Sequence, residues 1–379
     1  MKIVVNTRSL ITNKLDGIGW FTFQSLKRIT QLHPSVEFIF LFDRPYSDEF
    51  IFGKNITPIV LFPPARHPFL YLVYYQWSVK RVLKKIKPDL FLAPDGLLVL
   101  GSKYKQFGVI HDINFLHYPK DLRFFYSKYY NWFFPKFAKQ ASHLATVSEF
   151  SKQDLVNNFG LNPKKIDVVY NGINEGYKVL GEAQKDEVRA KYTQGKNYFL
   201  FVGSQSPRKN LVRLIEAFNI FKLKSGSNHQ LLLVGSSFWG EGEISKAIDA
   251  SSFKDEIIIA GRLDQTELEQ IMASAFALAF VSYFEGFGIP LIEAMQCEVP
   301  ILCSNTSCMP EIAGDAALYF DPFDVNDISA KMLELFHSKY LAQELIAKGN
   351  LRKLNFSWDK TADKLWKSIE LTIEQPKSY

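Results

Sequence analysis

Apolar and polar positions along the 379 residues follow two alternating periods. In the first half, short β-rich runs predict strands over 2–6, 36–42, 90–93, 107–111, 143–148 and 166–170. Helical spacing predicts helices over 17–32, 68–86, 124–139 and 150–159. Such alternation predicts parallel βαβ units. The turn-rich Asn171-Gly172-Ile173-Asn174-Glu175-Gly176 and a polar stretch up to Asn197 interrupt the pattern, which then restarts. Strands are expected over 198–202, 230–234, 256–260, 276–281, 299–303 and 317–320, with helices over 210–224, 264–275, from Pro290 and at Pro310. Asp264-Gln265-Thr266-Glu267 has the spacing of a capping box. The fold class is therefore α/β, with a Rossmann-like domain over 1–180 and another over 181–355. A C-terminal helical segment, 356–379, carries Trp358 and Trp366. In such folds a ligand is expected at the carboxyl ends of the strands, here in a cleft between the domains.

Composition narrows the class. An apolar share of 47% with 22% charged residues is that of a globular chain and excludes a disordered or fibrous one. The three cysteines, Cys297, Cys303 and Cys308, lack the CxxC pairs or His partners of structural zinc and suggest a reduced, cytoplasmic setting. The apolar start is too short for a signal h-region, and no stretch reaches the roughly 18 apolar residues of a membrane span. The net charge of +6 is uneven: residues 1–180 hold 24 Lys and Arg against 13 Asp and Glu, the remainder 21 against 26. A basic front half favours an anionic partner. With no RNP-type strand, KH loop or finger spacing, nucleic acid is not expected. Within 66–87, Arg66, His67, Lys80, Arg81, Lys84, Lys85 and Lys87 surround Phe69, Tyr71, Tyr74 and Trp77. That stretch reads either as an amphipathic helix with a solvated lysine face or as a peripheral contact with an anionic membrane.

Candidate chemistry concentrates in two loops. Gly17-Ile18-Gly19 and Gly286-Phe287-Gly288 each begin like a dinucleotide fingerprint but lack its third glycine, and no P-loop occurs. No Asp-x-Asp pair or His/Asp/Glu cluster has metal-ligand spacing, so any diphosphate must be held by side-chain cations and backbone N–H groups. Gly203-Ser204-Gln205-Ser206-Pro207-Arg208-Lys209-Asn210, between a strand and a helix, offers both. Its plain alternative is a solvated loop with Asn210 as N-cap. In the 284–294 segment, Glu285 lies on a glycine-rich loop and Glu293 is expected in the first turn of the next helix, where carboxylates can accept from sugar or ribose hydroxyls. Alternatively Glu293 only complements the helix dipole. His111, at the end of an expected strand, is either a packed core residue or part of a site.

Together with Val109-Ile110-His111-Asp112, Thr146-Val147-Ser148-Glu149-Phe150-Ser151-Lys152 and Tyr170-Asn171-Gly172-Ile173, these segments resemble the GT-B-fold retaining glycosyltransferases of family four, which include bacterial polysaccharide mannosyltransferases. The resemblance spans nearly the whole chain. It implies a GT-B architecture, two Rossmann-like domains facing across a cleft, with the C-terminal helix crossing back to the N-terminal domain. It also implies hexose transfer from a nucleotide-diphosphate donor with retained anomeric configuration, needing no metal or other cofactor. By matching position, Arg208 and Lys209 would bind the donor diphosphate and Glu293 the ribose. Glu285 would hold the donor sugar, aided by the backbone of Phe287, Gly288 and Ile289. Gly17 and Gly19 would let the first loop approach the donor phosphates, and His111 would sit beside the anomeric carbon or the primary hydroxyl. Base contacts are expected near Gly235, Gly261 and Arg262. Family members often carry a basic residue right after the strand glycine; Ser204 stands there, which leaves more phosphate charge to Arg208 and Lys209.

GDP-mannose is the first expected donor and a UDP-hexose the alternative, with a cell-surface or lipid-linked glycan as acceptor, as in polysaccharide or lipopolysaccharide biosynthesis. The leaving diphosphate could itself take the acceptor proton. Competing readings are a glycosidase-like scheme with Glu285 as nucleophile, a UDP-sugar 2-epimerase, and a catalytically silent sugar-nucleotide or glycan-binding subunit.

Overall fold

The computed structural model describes residues 1–236 and 241–376. Two compact units divide the chain. One combines Met1–Gly172 with the chain from Ser357 onward, and the other is Ile173–Phe356.

The first unit holds a seven-stranded sheet of β1 (Lys2–Asn6), β2 (Glu37–Phe42), β3 (Ile56–Val60), β4 (Leu90–Ala93), β5 (Gln106–Val109), β6 (His143–Thr146) and β7 (Ile166–Val168). Its order is β3-β2-β1-β4-β5-β6-β7, with parallel pairing throughout, Val4 lying opposite Ile39 on one side and Phe91 on the other. Apolar residues run almost unbroken along the central strands because helices cover both faces of such a sheet. Val4, Phe91, Phe107 and Leu144 are fully buried. The chain runs outward from β1 to β3 and then returns to β4, so the strand order reverses between β1 and β4. Ligands of doubly wound sheets collect at the carboxyl ends of the strands flanking that reversal. The closing helix Trp358–Glu374 belongs to this unit: Trp366 stacks on His33 at 3.8 Å, Ser368 donates to Asp167, and Thr361 Oγ1 donates to the Tyr170 carbonyl.

The second unit repeats the plan with β8 (Tyr198–Val202), β9 (Gln230–Val234), β10 (Ile257–Gly261), β11 (Ala277–Phe280), β12 (Ile301–Ser304) and β13 (Ala317–Phe320). The parallel order β10-β9-β8-β11-β12-β13 reverses between β8 and β11. Phe199, Phe201, Leu231, Leu233 and Ala277 form its core with Leu214, Phe218 and Phe221 of the helix Leu211–Ser225.

Several expectations shift. Strand β3 was not expected; its Pro58 breaks the β pattern, yet an edge strand tolerates it. The polar stretch before Asn197 contains a helix, Glu182–Thr193. The helix from 68 is interrupted by a π turn, Tyr74–Val79, which turns the adjacent Tyr74 and Tyr75 inward together. Asp264 caps the Gln265–Ser274 helix by accepting from the Glu267 amide, but the Glu267 carboxylate pairs with Lys191 and Tyr192 instead of closing a box. Among the described residues no helix is long and apolar enough to cross a membrane.

Candidate functional site

The loops that leave β8 and β11, the two strands flanking the reversal in the second sheet, bring Arg208, Lys209 and Glu285 together. After β8 the chain makes one 3₁₀ turn, Pro207–Lys209, and Asn210 then takes a left-handed conformation before the helix Leu211–Ser225. Asn210 does not cap that helix through its side chain. Its amide instead donates to the Val281 and Pro322 carbonyls, tying the first loop to the second. Lys209 Nζ lies 2.5 Å from one oxygen of Glu285 and an Arg208 guanidinium nitrogen 2.8 Å from the other. Arg208 also donates to the Phe284 carbonyl, and the Glu285 amide donates to Ser307 Oγ. Burial alone would raise the Glu285 pKa, but the charges of Arg208 and Lys209 outweigh it and hold the carboxyl down at about 2. Two cations thus share one permanently ionised carboxylate.

Glu293 sits in a different setting. Gly288, with φ +86°, caps the helix Ile289–Gln296, a conformation that a side chain would strain, and Pro290 occupies its first turn. Phe287 packs edge-on against Phe356. Glu293 lies one turn into this helix, not in its first turn as expected, and is buried. Removal from the helix end weakens the dipole explanation for it, because that effect fades beyond the first turn. Burial pushes its carboxyl up to about 8; the nearby Tyr177 hydroxyl offsets part of this and Glu269 adds to it. That hydroxyl is buried and makes no hydrogen bond of good geometry.

Gly235, Gly261 and Arg262, the three residues expected near a base, line one cavity of about 380 Å³ with Gln205, Ser236, Ile244, Ser245 and Ile259. The cavity opens at the carboxyl ends of β9 and β10. Gly235 is required there, since a Cβ on it would lie 1.8 Å from the Gly203 carbonyl oxygen. Gln205 belongs to the same loop as Arg208 and Lys209, and its backbone N–H donates to the Ser236 carbonyl. One loop therefore joins the cavity to the cation pair.

Gly17, Gly19 and His111 belong to the first unit. Gly17 opens the helix Gly17–Leu32, capped by Asp16, whose carboxylate accepts from the Gly19 amide at 2.8 Å. His111 lies two residues beyond the end of β5 rather than within it. Its Nε2 is 2.9 Å from the Pro94 carbonyl, which can only accept, so that nitrogen carries the proton and Nδ1 is left as the acceptor. The ring stands edge-on to Phe21 at 5.0 Å, and burial lowers its pKa, favouring the neutral form.

A polar cluster beside His111 escaped the sequence reading. At the reversal of the first sheet, Asp95 accepts from Asn6 at 2.8 Å and from Arg8 at 3.1 and 3.2 Å, and the Tyr75 hydroxyl contacts both Asn6 and Asp95. Arg8 also rests on the Tyr71 ring. The available signal was a charged residue just past each of two apolar strands that flank the reversal.

Known proteins share this organisation. A model described as Glycosyltransferase Family 4 matches residues 16–177, and one described as Glycosyl transferases group 1 matches residues 184–352. The O-antigen chain mannosyltransferase B of Escherichia coli is 26% identical over 95% of this chain and 97% of its own length. The O-antigen chain mannosyltransferase RfbU of Salmonella typhimurium is 27% identical over 68% of each chain. A sucrose-phosphate synthase structure from Thermosynechococcus elongatus superposes with a TM-score of 0.78 over 98% of both chains at 16% identity, a likeness of fold. With both halves matched in order and both sheets formed, the chain is a glycosyltransferase of GT-B fold, belonging to the family 4 and group 1 enzymes that these models describe.

Proposed function

We propose that this glycosyltransferase moves mannose from GDP-mannose to a hydroxyl of a cell-surface or lipid-linked glycan, on the cytoplasmic side, retaining the anomeric configuration and using no metal. The observation that carries this reading is the loop 203–210, which joins a cavity of about 380 Å³ to two cations held side by side on Glu285. A base in the cavity, near Gly235, Gly261 and Arg262, would present its diphosphate to Arg208 and Lys209. Glu293 would accept from the ribose hydroxyls, and Glu285 from the sugar, with the backbone from Phe287 to Ile289 beside it. Gly17, Gly19 and His111 take the roles that the family resemblance gives them.

Transfer breaks the bond from the anomeric carbon to the diphosphate and forms one to the acceptor oxygen, while the acceptor proton passes to the released phosphate oxygen. Charge develops on that leaving group, where Arg208 and Lys209 stabilise it electrostatically without a protein base. With Glu285 committed to these two cations, it is a poor covalent nucleophile, which disfavours the glycosidase-like scheme. The mannosyl assignment draws on the name of the full-length relative, the mannosyltransferase of O-antigen chains.

The test is incubation of the purified chain with GDP-mannose and a panel of lipid-linked glycans in EDTA, with the product's anomeric configuration read by proton NMR. An α-linked mannosyl product is expected. Turnover of a UDP-hexose alone would overturn the donor, and absence of product from every donor would leave a silent binding subunit.

A further inference from the structure

Six aromatic side chains of the first unit face solvent. Phe62, Phe69, Trp77, Phe124, Phe125 and Trp132 are between 61% and 79% exposed, and among the described residues no other Phe or Trp exceeds 51%. They come from two segments, 62–77 and 124–132, that the fold packs against each other. Tyr71 meets Tyr126 and Tyr129 edge-on, the Tyr126 hydroxyl donates to the Arg66 carbonyl, and His67 lies 6.0 Å from Phe125. His67 also caps the helix that begins at Pro68, its Nδ1 accepting from the Phe69 backbone N–H. The Phe62 carbonyl accepts from Ser78 Oγ, which ties the backbone at Phe62 to the segment that carries Trp77.

Helical spacing explains why these rings point outward together. On the helix Phe124–Gln140, Phe124, Phe125, Lys128, Trp132, Lys136 and Lys139 form one exposed stripe, while Phe134, Phe137 and Ala138 fill the core on the other side. On the run from Pro68 to Ile86, Phe69, Trp77, Arg81, Lys84 and Lys85 are exposed, while Tyr71, Tyr74 and Tyr75 are buried. Each stripe begins with aromatics and ends with cations. Cations also cover the rings: Lys136 lies 4.2 Å from the Trp132 ring, Lys128 5.6 Å from Phe124 and Arg81 5.9 Å from Trp77. Residues 62–87 contain six Lys or Arg and residues 123–140 four, and neither segment contains an Asp or Glu.

We infer that these two segments form a docking surface for an anionic lipid bilayer, with the six aromatic rings entering the interface and the cations contacting lipid phosphates. Exposed rings interleaved with cations match the headgroup boundary, where an aromatic body is buried and a Lys stem reaches out to charge. The complete lack of acidic side chains fits an anionic plane better than a protein partner, whose contact surface would offer charges of both signs. Sequence alone exposed only the first of the two segments, because the stripe on 124–139 lies within a helix rich in core aromatics. The inference is independent of which sugar is transferred.

Co-sedimentation of the full chain with phosphatidylglycerol vesicles, and with phosphatidylcholine vesicles as the neutral control, tests it. Binding to the anionic vesicles alone is expected, falling with salt. The triple variant Trp77→Ser/Phe124→Ser/Trp132→Ser should lose about tenfold or more in partitioning. Its circular dichroism and its calorimetric affinity for GDP-mannose in vesicle-free buffer should match wild type, because none of these exposed side chains belongs to the core or the donor site. A second variant, Lys84→Glu/Lys85→Glu/Lys136→Glu, should weaken binding in low salt. Wild-type chain remaining in the supernatant with anionic vesicles, or a triple variant that binds as well as wild type, overturns the proposal. So does reversible dimerisation through this face without vesicle binding. Donor binding is read separately, so failure here is distinct from failure of the transfer reading.

Discussion

Glu285 and Glu293 are eight residues apart and both buried, yet they titrate in opposite directions, near 2 and near 8. The difference comes from their neighbours. Glu285 meets Lys209, which the fold brings from a loop 76 residues earlier, and the adjacent Arg208, whereas Glu293 meets a tyrosine hydroxyl and a second carboxylate. Burial penalises both charges, and only Glu285 is compensated. One half of the motif is therefore a fixed anion that organises cations, and the other is a neutral carboxyl at pH 7 that can ionise when hydroxyl donors arrive.

Substitution should expose this contrast most sharply. Glu285→Ala leaves buried Lys209 and half-buried Arg208 without their shared carboxylate and should cost about 3 kcal/mol of stability in urea unfolding. Glu293→Gln keeps the shape of a neutral carboxyl and should change stability by less than about 1 kcal/mol at pH 7. Equal losses in the two variants would contradict the contrast.

The pH dependence of stability sharpens it with a smaller effect. Glu285 titrates in the folded state below its unfolded value, so its contribution is full above the unfolded pKa near 4.5 and is lost as pH falls from there through about 2. Glu293 titrates above its unfolded value, so its contribution is full below about 4.5 and is lost as pH rises through about 8. Between pH 5 and 8 the wild-type chain should lose stability on account of Glu293, and Glu293→Gln should flatten that decline without altering the acid limb. Urea midpoints measured across that range check the sign; a wild-type slope unchanged by Glu293→Gln would refute it.

Much of this was legible in the chain itself. The βαβ rhythm, the punctuation around Gly203 and Gly286, and the grouping of Arg208, Lys209, Glu285 and Glu293 as chemistry all follow from local pattern. Hidden features depend on neighbours distant in sequence. That Arg208 and Lys209 already bind Glu285 depends on β8 lying next to β11. The titration of Glu293 depends on Tyr177 and Glu269 from other elements. Strand β3 was missed because a proline in its middle is acceptable only at a sheet edge, and the helix Glu182–Thr193 because its surface is polar nearly all round. Arg8 and Asp95 were missed for the same reason as the Glu285 pairing: they meet only once β1 and β4 are adjacent.

The most direct test of the central claim, that one loop couples a base cavity to a metal-free diphosphate grip, is calorimetric titration in EDTA with GDP, GDP-mannose, UDP and UDP-glucose. Wild type and Lys209→Ala would be compared. Selective binding of the guanosine ligands, weakened about 10- to 100-fold by Lys209→Ala with the circular dichroism unchanged, is the predicted result. Lys209→Ala binding GDP-mannose as tightly as wild type would contradict it.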